Sequence, residues 1–417
     1  MAVAGFRNLK LTTVLSSLKD ILHDEKDYRV RISAVRACNN FPLPETQDVV
    51  FGGLKDSVEM VQVAASEVIL NLSGRYPLQR LVEDAQKTRS WRVKSNLYAA
   101  QLKSAPSGQV VDEITTIYAG ATVYYKSALL SALGESQAPK NKNAFDFLVS
   151  ELQREHQEKV LLSSSASALT SLDRKSKGSL SKEEFIRIYK VAIAQGDPAV
   201  VGIVAFALTD TSLHYKKEIT DWQFLYAAKE KLVLPKDIES LEPLERAIAF
   251  FEGKEPQPLK NEFNHPIPWE KVKTIPVGQR VELNTSHGII ILRLFVEESP
   301  GSVINFTELI NAKYFDGKFF HRVVPNFVIQ TGCNRGDGFG SEDYSIRSEF
   351  SGRRYTTGSV GMASAGKDTE GTQWFITHSP TPHLDGRYTL FAEVESGMES
   401  VHLMEVGDKI LSAKLVD

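Results

Sequence analysis

The periodicity of apolar residues changes once along this chain. From the start to about Gly253 apolar residues recur at three- and four-residue intervals, with few alternating β-branched runs, and the spacing predicts helices. Beyond Gly278 they alternate, which predicts strands. Between the two lie Pro256, Pro258, Pro266, Pro268 and Pro276 with neither period, so this stretch reads as an extended connector at a domain boundary. A chain of 417 residues exceeds one cooperative core, in keeping with a division into residues 1–253, 254–278 and 279–417. Trp269 and Phe263 are expected to dock the connector on a neighbouring domain.

The helical part repeats itself. Segments opening at Asp27-Tyr28-Arg29-Val30, Asp56-Ser57-Val58, Ser90-Trp91-Arg92-Val93 and Gly120-Ala121-Thr122-Val123 recur about every 30 residues, each leading into a helix rich in small side chains. Ala34 and Ala37, Ala64 and Ala65, Ala99 and Ala100, and Ala128 and Ala132 take matching places, where small residues let helices approach closely. Weaker copies run from Lys159-Val160 to Leu169 and from Asp197-Pro198-Ala199-Val200 to Leu208, giving six units. The pattern of polar turn, valine and alanine-rich helix resembles a HEAT repeat. That resemblance implies an α-solenoid over residues 1–253, which offers chiefly surface for a protein partner or client. Armadillo-like or irregular helical pairs fit the same spacing.

A hydrophobic fraction of 42% with 24% charged residues excludes a largely disordered or membrane-embedded chain. Lys+Arg 49 against Asp+Glu 52, a net charge of -3, supplies no field for nucleic acid or anionic lipid, so neither partner is expected. Cys38 and Cys333 fall in different expected domains, which argues against a disulfide framework. Arg7, Asn8 and Lys10 interrupt any apolar signal region, and no stretch is long enough to span a bilayer. As it stands the chain reads as cytoplasmic. A removed export signal, directing it to a periplasm or cell envelope, is the alternative, because an amphipathic segment (Leu11, Val14, Leu15, Leu18, Ile21, Leu22) begins almost at once.

Past Gly278, Val281, Leu283 and Thr285 alternate up to Ser286-His287-Gly288, and Ile289 to Phe295 follow, which predicts a β-hairpin. Ser299 and Pro300 then mark the capped start of a helix with Val303, Phe306 and Ile310 on one face. Within Phe319 to Gln330 one arginine, Arg322, interrupts an otherwise apolar pattern. A guanidinium in such a place is costly unless hydrogen-bonded. Beside Phe327 and Val328 it predicts an apolar pocket with one charged wall, a shape suited to a proline ring.

The blocks Gly358-Ser359-Val360-Gly361-Met362-Ala363-Ser364-Ala365, Gly371-Thr372-Gln373-Trp374-Phe375-Ile376-Thr377 and His383-Leu384-Asp385-Gly386-Arg387-Tyr388-Thr389-Leu390-Phe391 follow in this order. With the Arg322 segment they resemble the cyclophilin family of peptidyl-prolyl cis-trans isomerases over about residues 280–417. The resemblance implies a closed eight-stranded antiparallel β-barrel capped by two helices. It places the catalytic arginine at Arg322, the proline pocket at Phe327, Val328, Phe375 and Leu384, and substrate-backbone contacts at Gln330, Gln373, Ala363 and Ser364. His383 and Tyr388 complete the substrate-binding set, but the family's usual residues there are a tryptophan important for cyclosporin binding and a histidine. Catalysis is therefore implied and cyclosporin sensitivity is not.

The implied function is isomerisation of X-Pro bonds in proline-containing polypeptide clients, without covalent intermediate, metal or cofactor. Amide resonance sets a rotation barrier of about 20 kcal/mol, which catalysis must lower. The competing reading is a scaffold that binds proline peptides without turnover, against which the intact Arg322, Phe327, Gln330 and Phe375 weigh.

Other signals carry less. Asp173 to Glu184 has the glycine and terminal glutamate of a calcium loop, but Lys175 and Lys177 occupy ligand positions, and Ser181 with Glu184 reads as a helix cap. Gly336-Asp337-Gly338-Phe339-Gly340 reads as a mobile loop, and Thr331, Cys333 and the segment Asn334 to Tyr344 are expected to adjust substrate preference. His321, His378 and His383 lack metal-ligand spacing, and Cys333 stands as a minor candidate for a redox-sensitive thiol.

Overall fold

The computed structural model describes residues 11–41, 45–138, 140–155, 158–176, 178–259 and 263–417. Arg7, Asn8 and Lys10, the side chain of Leu11, and Lys177 lie outside the described residues. The chain divides into two compact units, residues 1–189 and 190–417.

In the first unit, helices Tyr28–Ala37, Glu59–Asn71, Trp91–Ser104, Val123–Leu133 and Lys159–Ser176 arise at the recurrent openings, and each packs against the next. The helices Gln47–Gly53, Leu78–Lys87, Gly108–Tyr118 and Lys142–Leu152 alternate with them. The polar residue at an opening has a physical task, since the first turn of a helix leaves N–H groups without partners. Asp27 accepts from the Arg29 N–H, the Asp56 carboxylate from the Val58 N–H, and Ser90 from the Val93 N–H. Ala34, Ala64, Ala65, Ala99, Ala100 and Ala132 are buried, while Ala37 and Ala128 are only half-buried. Approach is close at Gly134, where a Cβ would lie 3.0 Å from the Ala168 Cα. Rungs at a similar spacing cross between neighbours: Asn96 donates to the Ser66 hydroxyl at 2.9 Å, and Gln137 donates to the Lys103 carbonyl at 2.8 Å.

The calcium-loop-like segment is structural where described. Asp173 belongs to the helix Lys159–Ser176 and accepts the Tyr189 hydroxyl at 2.9 Å, and the Ser181 hydroxyl accepts the Glu184 N–H at the start of Lys182–Ala194. Among the described residues, no group of three or more His, Cys, Asp or Glu could hold a metal ion, and no helix is long and apolar enough to cross a membrane.

The second unit joins the last helices to the strand region. Helix Pro198–Leu208 packs along Ile238–Glu252, with Gly202 so close that a Cβ there would sit 3.3 Å from the Ser240 Cα. The connector is held by groups other than the aromatics expected to dock it. The backbone N–H groups of Asn264 and His265 donate to the Ser345 carbonyl at 3.2 Å, His265 stacks on Tyr344 with ring centres 4.5 Å apart, and Val272 is buried. Trp269 and Phe263 remain 55% and 43% exposed, because main-chain pairing and Val272 already fasten the segment.

Eight strands follow: β1 (Arg280–Thr285), β2 (Gly288–Leu294), β3 (Arg322–Val324), β4 (Val328–Thr331), β5 (Ser359–Met362), β6 (Trp374–Thr377), β7 (Leu390–Ser396) and β8 (Ile410–Val416). They form one antiparallel sheet in the order β3-β4-β6-β5-β7-β2-β1-β8. The first hairpin is the expected one: Val281, Leu283, Ile290, Leu292 and Leu294 alternate inward. The expected closed barrel is corrected to an open sheet, since β3 and β8 are not ladder partners. The segment before β3 meets the chain entering β8 through the bridge between Phe319 and Lys409 and through backbone bonds such as Phe320 N–H to Asp408 carbonyl at 2.8 Å. The reason is the register of that contact: extended antiparallel from Phe319 and Lys409, it sets β8 opposite Lys318 and Gly317, and sets β3 opposite residues that precede β8.

Helix Pro300–Asn311 packs on β8, and Met398–Leu403 packs on β2. Phe306, on the first of these, meets Phe315, Trp374 and Phe391 with ring centres 5.1 to 5.5 Å apart, the aromatic centre of the core. Its N-terminus is capped from far along the chain. Ser299 gives its hydroxyl to the Leu390 carbonyl, and the Glu349 carboxylate instead accepts the Gly301 and Ser302 N–H groups at 2.9 and 2.8 Å. An anion there also complements the helix dipole.

Candidate active site

Strand register assembles the site. Arg322 on β3 stands opposite Gln330 on β4, Gln330 opposite Phe375 on β6, and Phe375 opposite Gly361 on β5. Directly paired residues share a face of a sheet, so these four form one row across four strands. Glycine ends the row for a steric reason: a Cβ at Gly361 would lie 2.2 Å from the Tyr355 hydroxyl and 2.6 Å from the Phe375 ring. The absent side chain is what lets those two rings stack, 5.8 Å apart and 22° from parallel.

Around this row lies a pocket of about 180 Å³ lined by Arg322, Phe327, Val328, Gln330, Ala363, Ser364, Phe375, Leu384 and Tyr388. Its apolar part is continuous with a cluster of Phe295, Val328, Tyr355, Phe375, Leu384 and Leu390. Asn326, at a positive φ of 57°, turns β3 into β4, and the Phe327 carbonyl accepts the His378 N–H at 2.8 Å, which fixes Phe327 at the pocket mouth. His383 is exposed and stacks on Phe327 with ring centres 5.5 Å apart, so it supports the rim without lining the pocket. Tyr388 meets the Phe375 ring edge-on at 5.9 Å.

Polar groups meet along one edge. Arg322 Nη1 donates to Gln330 Oε1 at 3.3 Å, and Gln330 Nε2 donates to Gln373 Oε1 at 3.1 Å. Gln373 is buried behind Gln330, and its Nε2 donates to the Gly338 and Gly340 carbonyls at 2.9 and 3.2 Å. Among the described residues no carboxylate pairs with Arg322. Desolvation at the pocket wall lowers the pKa of Arg322 from its ordinary value, with Tyr388 opposing, yet arginine begins high enough to stay charged. Burial, with the Arg322 charge adding to it, pushes His321 down to about 4, so His321 is neutral near pH 7 and leaves Arg322 the cation of this wall.

Two expectations for the neighbouring loop are corrected. Segment Gly336–Gly340 is tied down by its own Asp337, whose carboxylate accepts the Phe339 N–H at 3.0 Å, and by Gln373. Cys333 is buried, and burial raises its thiol pKa, which removes the thiolate a redox sensor needs. Tyr355, which backs the pocket by stacking on Phe375, escaped the sequence reading because a lone tyrosine in Arg354-Tyr355-Thr356 carries no spacing signal.

The sequence profile of the cyclophilin type peptidyl-prolyl cis-trans isomerase/CLD family matches residues 280–415. Peptidyl-prolyl cis-trans isomerase B of Bacillus subtilis is 47% identical over 121 residues, which cover 28% of this chain and 85% of that protein. The chain belongs to the cyclophilin family. A peptidyl-prolyl cis-trans isomerase of Synechococcus elongatus is 41% identical over 136 residues, covering 32% of this chain and 94% of the relative. Peptidyl-prolyl cis-trans isomerase cyp15 of Rhizopus delemar is 33% identical over 240 residues, covering 54% of this chain and 37% of that protein. The row from Arg322 to Gly361 thus lies inside the cyclophilin region, and the chain is an isomerase of X-Pro peptide bonds.

Proposed function

We propose that Arg322 is the catalytic group and acts without covalent chemistry. The carrying observation is a guanidinium with no carboxylate partner among the described residues, set at the edge of an apolar pocket. As an X-Pro bond twists, the prolyl nitrogen loses amide resonance and becomes pyramidal, which exposes a lone pair that the planar ground state lacks. A donor aimed at that nitrogen binds the transition state better than the substrate, which lowers the barrier. Phe327, Val328, Phe375 and Leu384 hold the pyrrolidine ring, while Gln330, Gln373 and the Ala363-Ser364 backbone fix the substrate chain, so that rotation is the motion left free.

Residues 1–253 act, in this reading, as a HEAT-like α-solenoid that binds a client or protein partner, joined through 254–278 to the isomerase region 279–417. The sequential packing of the alanine-bearing helices supports it. Holding a client near the pocket raises its effective concentration there. A protease-coupled assay on a short X-Pro peptide tests the catalytic claim with the full chain and Arg322→Ala. Acceleration by the first, and a loss of about two orders of magnitude in the second, is expected for a removed electrostatic donor. Equal rates would remove Arg322 from catalysis, and an inactive wild-type chain would favour a proline-binding scaffold.

A further inference from the structure

Arg335 lies in the loop after β4 and donates in two directions. Its Nη1 and Nη2 each reach the Asp197 carboxylate at 3.0 Å, a bidentate pair. Its Nη2 also reaches Asp337 at 2.8 Å, and its Nε lies 3.2 Å from the same carboxylate. All three side chains are largely withdrawn from solvent. A bidentate guanidinium pair fixes direction as well as distance, and sequestered from water it is screened far less than a surface ion pair. Asp197 is itself anchored, because it caps the helix Pro198–Leu208 by accepting the Val200 N–H. The helix therefore holds Arg335 from a rigid end.

What Arg335 holds in turn is the catalytic edge. Asp337 accepts the Phe339 N–H and so shapes the turn on either side of which the Gly338 and Gly340 carbonyls receive Gln373. Gln373 orients Gln330, and Gln330 accepts from Arg322. Every link from Asp197 to Arg322 is thus a hydrogen bond or a covalently continuous turn. An amide side chain can flip, exchanging its donor and acceptor ends, and two backbone carbonyls aimed at one nitrogen forbid that for Gln373. With Gln373 fixed, Gln330 presents its oxygen to Arg322.

We propose that Asp197 and Arg335 are positioning residues for X-Pro isomerisation, through which the helix Pro198–Leu208 sets the orientation of Gln373 and Gln330 beside Arg322. This rests on reading Arg322 as the catalytic group. It gives the helical segment a part in turnover that is separate from client binding.

The test uses the full chain and the variants Asp197→Asn and Arg335→Lys, singly and together. Asparagine retains volume and caps helices well, so the first variant is expected to fold. The second keeps the charge and loses the fork. Three quantities are measured: kcat and KM on a short X-Pro peptide, thermal stability, and the side-chain amide resonances of Gln373 and Gln330 in chain labelled with 15N-glutamine. The expected result is a kcat lowered roughly 3- to 10-fold in either single variant, within the usual range for coupling through a packed network, with KM changed less than about 2-fold. The double variant should be no worse than the singles, and the two glutamine resonances should shift in each. Wild-type kcat and unshifted resonances in a folded single variant would overturn the proposal. An inactive wild-type chain would defeat the reading of Arg322 instead, and the resonances would then decide the brace alone.

Discussion

Gln330 and Gln373 meet amide to amide, with Nε2 of the first 3.1 Å from Oε1 of the second. Because Gln373 is buried and Gln330 half-buried, the inner amide sets the direction of the outer one. Replacing Gln373 with alanine leaves the Gly338 and Gly340 carbonyls without their shared donor and frees Gln330 to rotate. A loss of about tenfold in kcat/KM is expected, equivalent to one net hydrogen bond of about 1.4 kcal/mol. Steady-state kinetics on an X-Pro peptide, with circular dichroism to confirm folding, checks it.

Gly332 occupies a φ of 87°, and a Cβ there would fall 2.1 Å from the Thr372 carbonyl oxygen. Both the conformation and the space favour glycine, so Gly332→Ala must displace either β4 or the Thr372 backbone. A destabilisation of about 3 kcal/mol or more is expected from the combined strain and steric conflict. Urea unfolding of wild type and variant measures it, and a midpoint within error of wild type would contradict the steric argument.

Glu370 is buried and accepts the Thr389 hydroxyl at 2.8 Å. Burial pushes its pKa up to about 7, from an ordinary 4.5. The folded state thus holds its proton across a window in which the unfolded chain has released it. The stability from this group is present in full below about pH 4.5 and is lost as the pH rises through 7. Glu370→Gln removes the ionisation while keeping an acceptor for Thr389. Its melting temperature relative to wild type is expected to rise between pH 5 and pH 8; a pH-independent difference would mean that Glu370 does not titrate there.

In the helical unit Arg31 and Asp56 form a buried pair, with contacts of 2.7 and 2.8 Å, and Arg31 also donates to the Glu25 and Lys26 carbonyls. Removing the acid strands a cation away from water. Asp56→Ala is expected to cost about 3 to 5 kcal/mol, and it also deletes the acceptor for the Val58 N–H. Thermal unfolding followed at 222 nm reads this directly, and a change below 1 kcal/mol would show that solvent reaches Arg31.

The parts of this fold that were legible in the sequence are those governed by near neighbours. Alternation in Val281 to Leu294 was enough for the first hairpin, and the caps at Asp27, Ser90 and Ser181 follow from the helix starts themselves. The cap at Ser299 failed because its hydroxyl found Leu390 and its place was taken by Glu349, contacts that no local rule contains. The candidate site was legible through its motifs, and the structure gathers those residues around one pocket, apart from His383 at the rim and Gln373 behind Gln330. Asp197 was legible only as the opening of the last repeat copy, and no local pattern pointed to Arg335 as its partner. Their meeting across 138 positions depends on how helices and sheet pack.

The two margins of the sheet have a consequence for how this protein handles polypeptide. β3 is three residues long and gives way to Pro325, and β8 has part of its outer edge occupied by Asp316, which accepts the Ala413 N–H at 3.1 Å, and by Gly317, which donates to the Ile410 carbonyl at 2.7 Å. Unblocked edges would act as templates for strand addition. With one margin three residues long and the other partly covered, the sheet offers an extended chain little length along which to zip, so a polypeptide would be gripped at the pocket rather than along an edge.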